Sequence, residues 1–160
     1  EGALYAERNF LFRISTAEVE LEESDFTSLP DYNRLIASVS GTMRLSHGAN
    51  GSEKLVLPRS TVYAFDGGIQ THCVCKARDL NLMLRKGAAE GELVFVDSGT
   101  ELNLEPAANE TMLLFELESG NAALCAGGNA RLRCTANGQC ALFTVRLVGE
   151  AIPDSDNRNG

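Results

Sequence analysis

The chain has 160 residues, a length that suits a single domain built around one hydrophobic core. Its 14 Lys and Arg residues and 22 Asp and Glu residues give a net charge of −8, without the basic clusters that binding to a phosphate backbone requires. No apolar run approaches the roughly 18 residues that a membrane helix needs. We therefore expect a globular, cytoplasmic protein with neither a nucleic-acid nor a membrane partner.

In chain order, the sequence consists of short apolar-polar alternations separated by Gly, Asn, Asp, Ser or Pro. This pattern predicts an all-β fold, since no stretch shows sustained helical spacing. The acidic segment 17–23 fits a strand, which we favour, or one or two helical turns. The other predicted strands cover residues 10–15, 34–40, 42–46, 54–57, 61–65, 69–76, 79–85, 91–97, 100–104, 112–117, 121–125, 130–134 and 141–148. This many short strands are typical of a sandwich or a barrel.

The predicted strands fall into two halves, residues 10–87 and 91–148, joined by a Gly-containing segment. We interpret the halves as two similar β units packed within one domain that covers residues 1–150. Residues 151–160 are largely polar and aperiodic, so we expect a flexible tail. Exposed strand edges in such a fold allow a homodimer.

The segment 79–85 is the most informative predicted strand. Alternation places Leu80, Leu82 and Leu84 on one face, and Asp79, Asn81, Met83 and Arg85 on the other. If the second face lines a cavity, it suits a small anionic or amide-bearing ligand, because Arg binds a carboxylate through two parallel hydrogen bonds. On spacing alone, a solvated strand face with an acid pairing Arg85 is the favoured alternative.

Phe65 and Asp66 form a second candidate, where a strand runs into the Gly67-Gly68 turn. A binding site would have Phe65 stacked on a ligand and Asp66 fixing a nearby Arg or Thr71. Asp at a turn more commonly bonds its own backbone, and the local sequence favours that interpretation.

The histidines and cysteines do not predict a metal centre. His47 precedes a glycine in a predicted hairpin loop, where we expect exposure to solvent. His72 lies near Cys73 and Cys75, but no second closely spaced Cys pair completes a zinc site. The five cysteines are expected to be reduced, because their number is odd and a domain of this size does not need disulfides. No cofactor or catalytic nucleophile is predicted.

Several segments together resemble the HutD/Ves family. Residues 79–87, Asp-Leu-Asn-Leu-Met-Leu-Arg-Lys-Gly, resemble the family signature Asp-Phe-Asn-Leu-Met-x-Arg-Arg-Gly, and residues 65–67 resemble its Phe-Asp-Gly. Three further segments, residues 12–17, 26–34 and 142–146, resemble family strands in the same order. The similarity spans residues 8–148.

This resemblance implies a cupin-like (RmlC-like) double-stranded β-helix of two similar halves, with a small-molecule pocket and no metal ligands. Bacterial relatives are associated with histidine utilisation, where they are thought to sense urocanate or a formylated or formiminated glutamate. Transferred by motif, the ligand-binding positions are Arg34, Phe65, Asp66, Asn81, Met83 and Arg85.

Two biochemical functions remain open at this point, besides a structural or assembly role in which exposed β-edges form a dimer. The first is a non-enzymatic protein whose Asn81 and Arg85 hold a carboxylate-bearing metabolite. The second is a metal-independent isomerase or hydrolase with Asp66 as the base and Arg85 stabilising developing negative charge.

Overall fold

The structure, a computed structural model, describes residues 8–18, 23–48, 51, 53–74 and 76–149. Within these ranges the chain forms strands and loops without a helix, and therefore contains no helix that could cross a bilayer. The strands are β1 (Phe12–Glu18), β2 (Glu23–Asp25), β3 (Tyr32–Ser38), β4 (Met43–His47), β5 (Glu53–Leu57), β6 (Val62–Asp66), β7 (Thr71–Val74), β8 (Arg78–Arg85), β9 (Ala89–Val96), β10 (Glu101–Leu104), β11 (Glu110–Glu116), β12 (Ala122–Ala126), β13 (Leu132–Thr135) and β14 (Cys140–Leu147). The all-β prediction is confirmed.

Strands β1 to β8, called here the first unit, form two four-stranded sheets. Their orders are β1-β8-β3-β6, the central sheet, and β2-β7-β4-β5, the outer sheet. All the strand pairings are antiparallel. Two such facing sheets with this connectivity form an eight-stranded jelly roll, the arrangement found in cupins.

Strands β9 to β14, the second unit, repeat most of this pairing. Their sheets have the orders β12-β11-β14-β9 and β10-β13. Each strand takes the place of one in the first unit, with β9, β10, β11, β12, β13 and β14 corresponding to β1, β2, β3, β6, β7 and β8. The hairpin β4–β5 has no counterpart among the strands described, so a two-stranded sheet faces the four-stranded one.

The central sheet is covered on both faces. Leu80, Leu82 and Leu84 of β8 pack in one apolar layer with Phe143 and Val145 of β14, which joins the two units. This is the leucine face that alternation predicts. The opposite face of the central sheet points into the first unit, towards the apolar residues of the outer sheet.

Two segments with sequence-based predictions lie partly outside the described residues. In the acidic segment, β1 extends to Glu18 and β2 begins at Glu23, while residues 19–22 are outside the described ranges. The predicted tail, residues 151–160, also lies outside them.

Candidate functional site

The interior of the first unit contains a group of buried polar side chains, called here the interior polar cluster. Its members are Arg34, Ser38, His47, Thr71, Asp79 and Asn81. Strand alternation directs all six into the space between the central and outer sheets. The buried side chains of the second unit are, among the residues described, apolar or cysteine.

Arg34 places a charged group inside the first unit. It is only 5% exposed, and its register partners on the neighbouring strands are Phe65 of β6 and Met83 of β8. The guanidinium carbon lies 4.7 Å from the ring centroid of Phe26 and 5.4 Å from that of Phe65. These distances are within the range of cation–π attraction, so the two rings hold the guanidinium in an aromatic environment.

Asp79 supplies a negative charge to the same interior. Its Oδ1 accepts a hydrogen bond of 3.1 Å from the Ala17 amide. Burial raises the pKa of the Asp79 carboxyl above its ordinary value, while the Ala17 hydrogen bond and the positive charge of Arg34 oppose that rise. The positive charge of Arg34 therefore interacts with the Asp79 carboxyl group inside the first unit.

Asn81 lies in the middle of β8, opposite Ser15 of β1 and Ile36 of β3. Its side-chain oxygen Oδ1 is fully buried and has no hydrogen-bond partner among the described residues. An unsatisfied buried acceptor costs about 1–3 kcal/mol, so such an atom in a folded protein requires an explanation.

His47 is 3% exposed, and the expectation that it is solvent-exposed is wrong. It is the last residue of β4, on the same face as the buried Met43 and Leu45, and this alternation was the sequence signal for its burial. Its ring lies near Tyr63 and Phe65, with centroid separations of 5.6 and 5.2 Å. The strand therefore continues one residue further than the glycine-containing loop suggested.

Arg85 and Met83 lie at the end of the first unit, on the same face of β8 as Asn81. Arg85 donates hydrogen bonds to the carbonyl oxygens of Phe10 and Arg8, at 3.3 and 2.9 Å, and to the Tyr32 hydroxyl, at 3.1 Å. Met83 packs beside them with Phe10 and Tyr32. Arg85 thus holds residues 8–10 against the end of the unit.

Asp66 is exposed and points to the face of β6 opposite to Phe65. Its Oδ1 accepts a 2.8 Å hydrogen bond from the Gly68 amide, as the turn predicts, and both carboxyl oxygens lie 2.8 Å from Lys86 Nζ. The hydrogen bonds from Lys86 and Gly68 lower the pKa of Asp66. Gly67 is required at this turn, because a Cβ there would lie 2.7 Å from the carbonyl oxygens of Leu29 and Tyr32.

The structure therefore brings together four of the six sequence-predicted site residues, Arg34, Phe65, Asn81 and Met83, on the interior face of the central sheet. Arg85 lies at the end of that face, and Asp66 lies on the opposite side. Sequence reasoning missed His47 and Phe26. Phe26 follows a three-residue strand, and nothing in the local pattern indicated that its ring covers Arg34.

The described residues contain no group of three or more His, Cys, Asp or Glu side chains placed to hold a metal ion. His72 lies on the outer face of β7, with its Nδ1 2.9 Å from Asp25 Oδ1. Cys75, the other member of the predicted Cys pair, is outside the described residues. None of the four cysteines that are described, Cys73, Cys125, Cys134 and Cys140, is in a disulfide bond.

Solved structures with the same fold include HutD from Pseudomonas fluorescens SBW25, with a TM-score of 0.71 and 23% identity over 89% of this chain and 83% of that one. A conserved protein of unknown function from Pseudomonas aeruginosa PAO1 gives a TM-score of 0.66 and 25% identity over 89% and 85% of the two chains. YhaK from Escherichia coli is 9% identical, with a TM-score of 0.53 over 86% and 84%.

None of the curated proteins is significantly similar to this chain. The family comparison gives a match to HutD over residues 3–146, which is most of the sequence. The cupin-like arrangement of the sheets and this match lead to the same conclusion: the chain belongs to the HutD family.

Proposed function

We propose that the protein binds a small carboxylate-bearing metabolite inside the first unit and acts as a non-enzymatic sensor in the cytoplasm. The observation that carries this proposal is the interior polar cluster itself. Burying charged and polar groups opposes folding unless they find partners, and the second unit of the same chain fills its interior with apolar side chains. Two buried atoms of this cluster, Asn81 Oδ1 and His47 Nε2, have no hydrogen-bond partner among the described residues, and a ligand that pairs with them explains why the first unit differs.

Arg34 is the group suited to the carboxylate. A guanidinium has five N–H donors in a planar fork and can bind a carboxylate through two parallel hydrogen bonds. Phe65 and Met83 flank Arg34 on the adjacent strands and provide apolar surface, and Asn81 provides a buried amide. Phe26 is partly exposed above the guanidinium, so we place the entry of the ligand at this ring.

Arg85 and Asp66 have a different part in this proposal. Their hydrogen bonds hold the N-terminal segment and the β6 turn at the end of the first unit. They shape the site without contacting the carboxylate. The ion pair with Lys86 argues against Asp66 as a base, because it lowers the pKa of the carboxyl group and so makes it less basic.

The pathway is inferred from the family. The resemblance to HutD/Ves proteins connects the chain to histidine utilisation and suggests urocanate, formylglutamate or formiminoglutamate as ligands. Each of these molecules carries at least one carboxylate that Arg34 can bind.

A thermal-shift screen with these three acids, and with histidine and glutamate, tests the proposal. A ligand at a hundred times its dissociation constant adds about 2.7 kcal/mol to the free energy of unfolding. We expect Arg34→Met to abolish the shift and Arg85→Met to retain it. Absence of any shift, or loss of binding in Arg85→Met alone, would refute the assignment to Arg34.

Mass analysis of the recovered compound separates the two functions. An unchanged compound supports a sensor. A converted product would instead support the alternative, a metal-independent enzyme acting on a small acidic metabolite.

A further inference from the structure

The two histidines of the chain occupy opposite environments, although they lie on paired strands. His47 of β4 is opposite Thr71 of β7, the residue that precedes His72. His47 points into the first unit and is buried, while His72 lies on the outer face of β7 next to Asp25. The second ring nitrogen of His47, Nε2, is fully buried and has no hydrogen-bond partner among the described residues. His47 is thus a polar group with one nitrogen anchored and the other unsatisfied.

The anchored nitrogen fixes the tautomer. His47 Nδ1 lies 2.9 Å from Thr71 Oγ1, and the Thr71 hydroxyl donates its hydrogen to the carbonyl oxygen of Ile69 at 3.0 Å. A hydroxyl has one hydrogen, so Thr71 can only accept from the imidazole. Nδ1 of His47 therefore carries the proton, and in the neutral ring Nε2 presents a lone pair.

The position of His47 relates this lone pair to Arg34. The His47 ring centroid lies 5.2 Å from the Phe65 centroid, and the Arg34 guanidinium carbon lies 5.4 Å from the same point. The Phe65 ring is therefore a shared neighbour of the two groups, and we place the ligand beside both of them. The Arg34 guanidinium suits a carboxylate, and the Nε2 lone pair of His47 suits a hydrogen-bond donor.

We infer that His47 Nε2 accepts a hydrogen bond from the ligand, so the molecule bound in the first unit carries an N–H or O–H donor as well as a carboxylate. This inference rests on the proposed function and narrows its ligand class. The buried oxygen of Asn81 is a second acceptor that favours the same class. Carboxylates without a donor leave these acceptors unsatisfied and bind more weakly.

The tautomer is tested without any ligand. Long-range proton–nitrogen NMR of the uniformly ¹⁵N-labelled protein distinguishes protonated from unprotonated imidazole nitrogens, and the variant His72→Gln assigns the two rings. We expect His47 to have a protonated Nδ1 and an unprotonated Nε2 at neutral pH. A protonated Nε2 would overturn the inference.

The ligand class is tested with two probes, pyrrole-2-carboxylate and furan-2-carboxylate. They share the carboxylate and the five-membered ring, but only the pyrrole has an N–H donor. We expect the parent protein and His72→Gln, the matched control, to bind the pyrrole acid about tenfold more tightly or better, since one net hydrogen bond of about 1.4 kcal/mol corresponds to that factor.

His47→Phe should remove the preference while still binding both acids, and Thr71→Val should reduce it, because the tautomer is no longer fixed. His47→Gln, which keeps a polar side chain, serves if His47→Phe does not fold. Equal binding of the two acids by the parent protein would overturn the inference and leave the carboxylate site intact. Failure to bind either acid would refute the proposed function as well.

Discussion

The two units share a strand pairing and differ in what fills them. In the first unit a four-stranded sheet faces another four-stranded sheet, and in the second unit it faces a two-stranded sheet. The six buried polar side chains belong to the first unit, while the interior of the second is apolar and includes Leu104, Leu114 and Cys125. In the second unit the same strand pairing encloses an apolar core. The pairing by itself therefore does not require polar groups in the interior, and the proposed ligand site gives them a role.

The missing hairpin adds to this contrast. In the first unit β4 pairs with β7 and carries His47, whereas the described part of the second unit has no strand in that place. The first unit thus has additional interior surface on its outer sheet. His47, one hydrogen-bond acceptor of the proposed site, therefore lies on the β4–β5 hairpin, which distinguishes the first unit from the second.

The largest expected effect comes from the apolar interior of the second unit. Leu104 is fully buried, and Leu104→Ala should lower the free energy of unfolding by about 3 kcal/mol, because a buried side chain is lost and a cavity remains. Urea denaturation measures this loss. Affinity for the carboxylate, measured well below the unfolding transition, should be unchanged, and a clear loss of affinity would contradict the division of roles.

Arg34→Met should lower the free energy of unfolding somewhat less than Leu104→Ala does, but unlike Leu104→Ala it should abolish carboxylate binding. Removing the cation takes away its contacts with the Phe26 and Phe65 rings and a positive charge that opposes the rise in the Asp79 pKa, and we expect a loss of roughly 2 kcal/mol at neutral pH. The double variant Arg34→Met/Asp79→Asn should recover part of that stability, and neither variant should bind the carboxylate. Unfolding curves of the two variants, compared with the parent protein, provide the measurement.

Asp79→Asn should change how stability depends on pH. The pKa of Asp79 is raised in the folded state above its ordinary value of 3.8, so its stabilising contribution is complete below that value and is lost as the pH rises through the folded pKa. Relative to the variant, the parent protein should therefore lose stability over this range. Unfolding free energies measured from pH 3.5 upwards test the sign.

Asp79→Asn should also bind carboxylates several-fold more tightly, because no internal carboxylate then competes with the ligand for the positive charge of Arg34. Isothermal titration with the best acid of the screen measures this change. Weaker binding in Asp79→Asn would indicate that Asp79 itself contacts the ligand.

The smallest effect is expected at the exposed turn after β6. The pKa of Asp66 is lowered by Lys86 and Gly68, so the stability that it contributes is present above 3.8 and is lost as the pH falls through the folded pKa. Asp66→Asn should lower the melting temperature slightly at neutral pH, and the difference should vanish in acid. Ligand affinity should not change, in contrast to Arg34→Met.

Alternation alone predicted much of the fold and the two faces of β8, whereas the choice of its polar face as a ligand site came from the family resemblance. It placed three leucines of β8 on the face that joins the units and Asn81 on the opposite face, because side-chain direction in a strand depends only on position. Phe65 was a candidate from the turn that follows it, and Arg34 came from the family resemblance.

Alternation could not show whether the polar face of β8 is exposed to solvent or enclosed between the sheets. That distinction depends on how the outer sheet packs against the central sheet, which the alternation within one strand does not contain. Nor could alternation show that Arg85 donates to main-chain carbonyls of residues 8 and 10 and to the Tyr32 hydroxyl. His47 was missed because the glycine after it indicated a loop.

The double coverage of β8 also restricts how this chain can change in evolution. One side of the strand contributes leucines to the layer between the units, and the other contributes Asp79 and Asn81 to the polar interior. Insertion or deletion of a single residue within β8 would exchange these sides, moving carboxyl and amide groups into the apolar layer and leucines into the proposed ligand site. The number of residues in β8 is therefore constrained by packing on both of its faces.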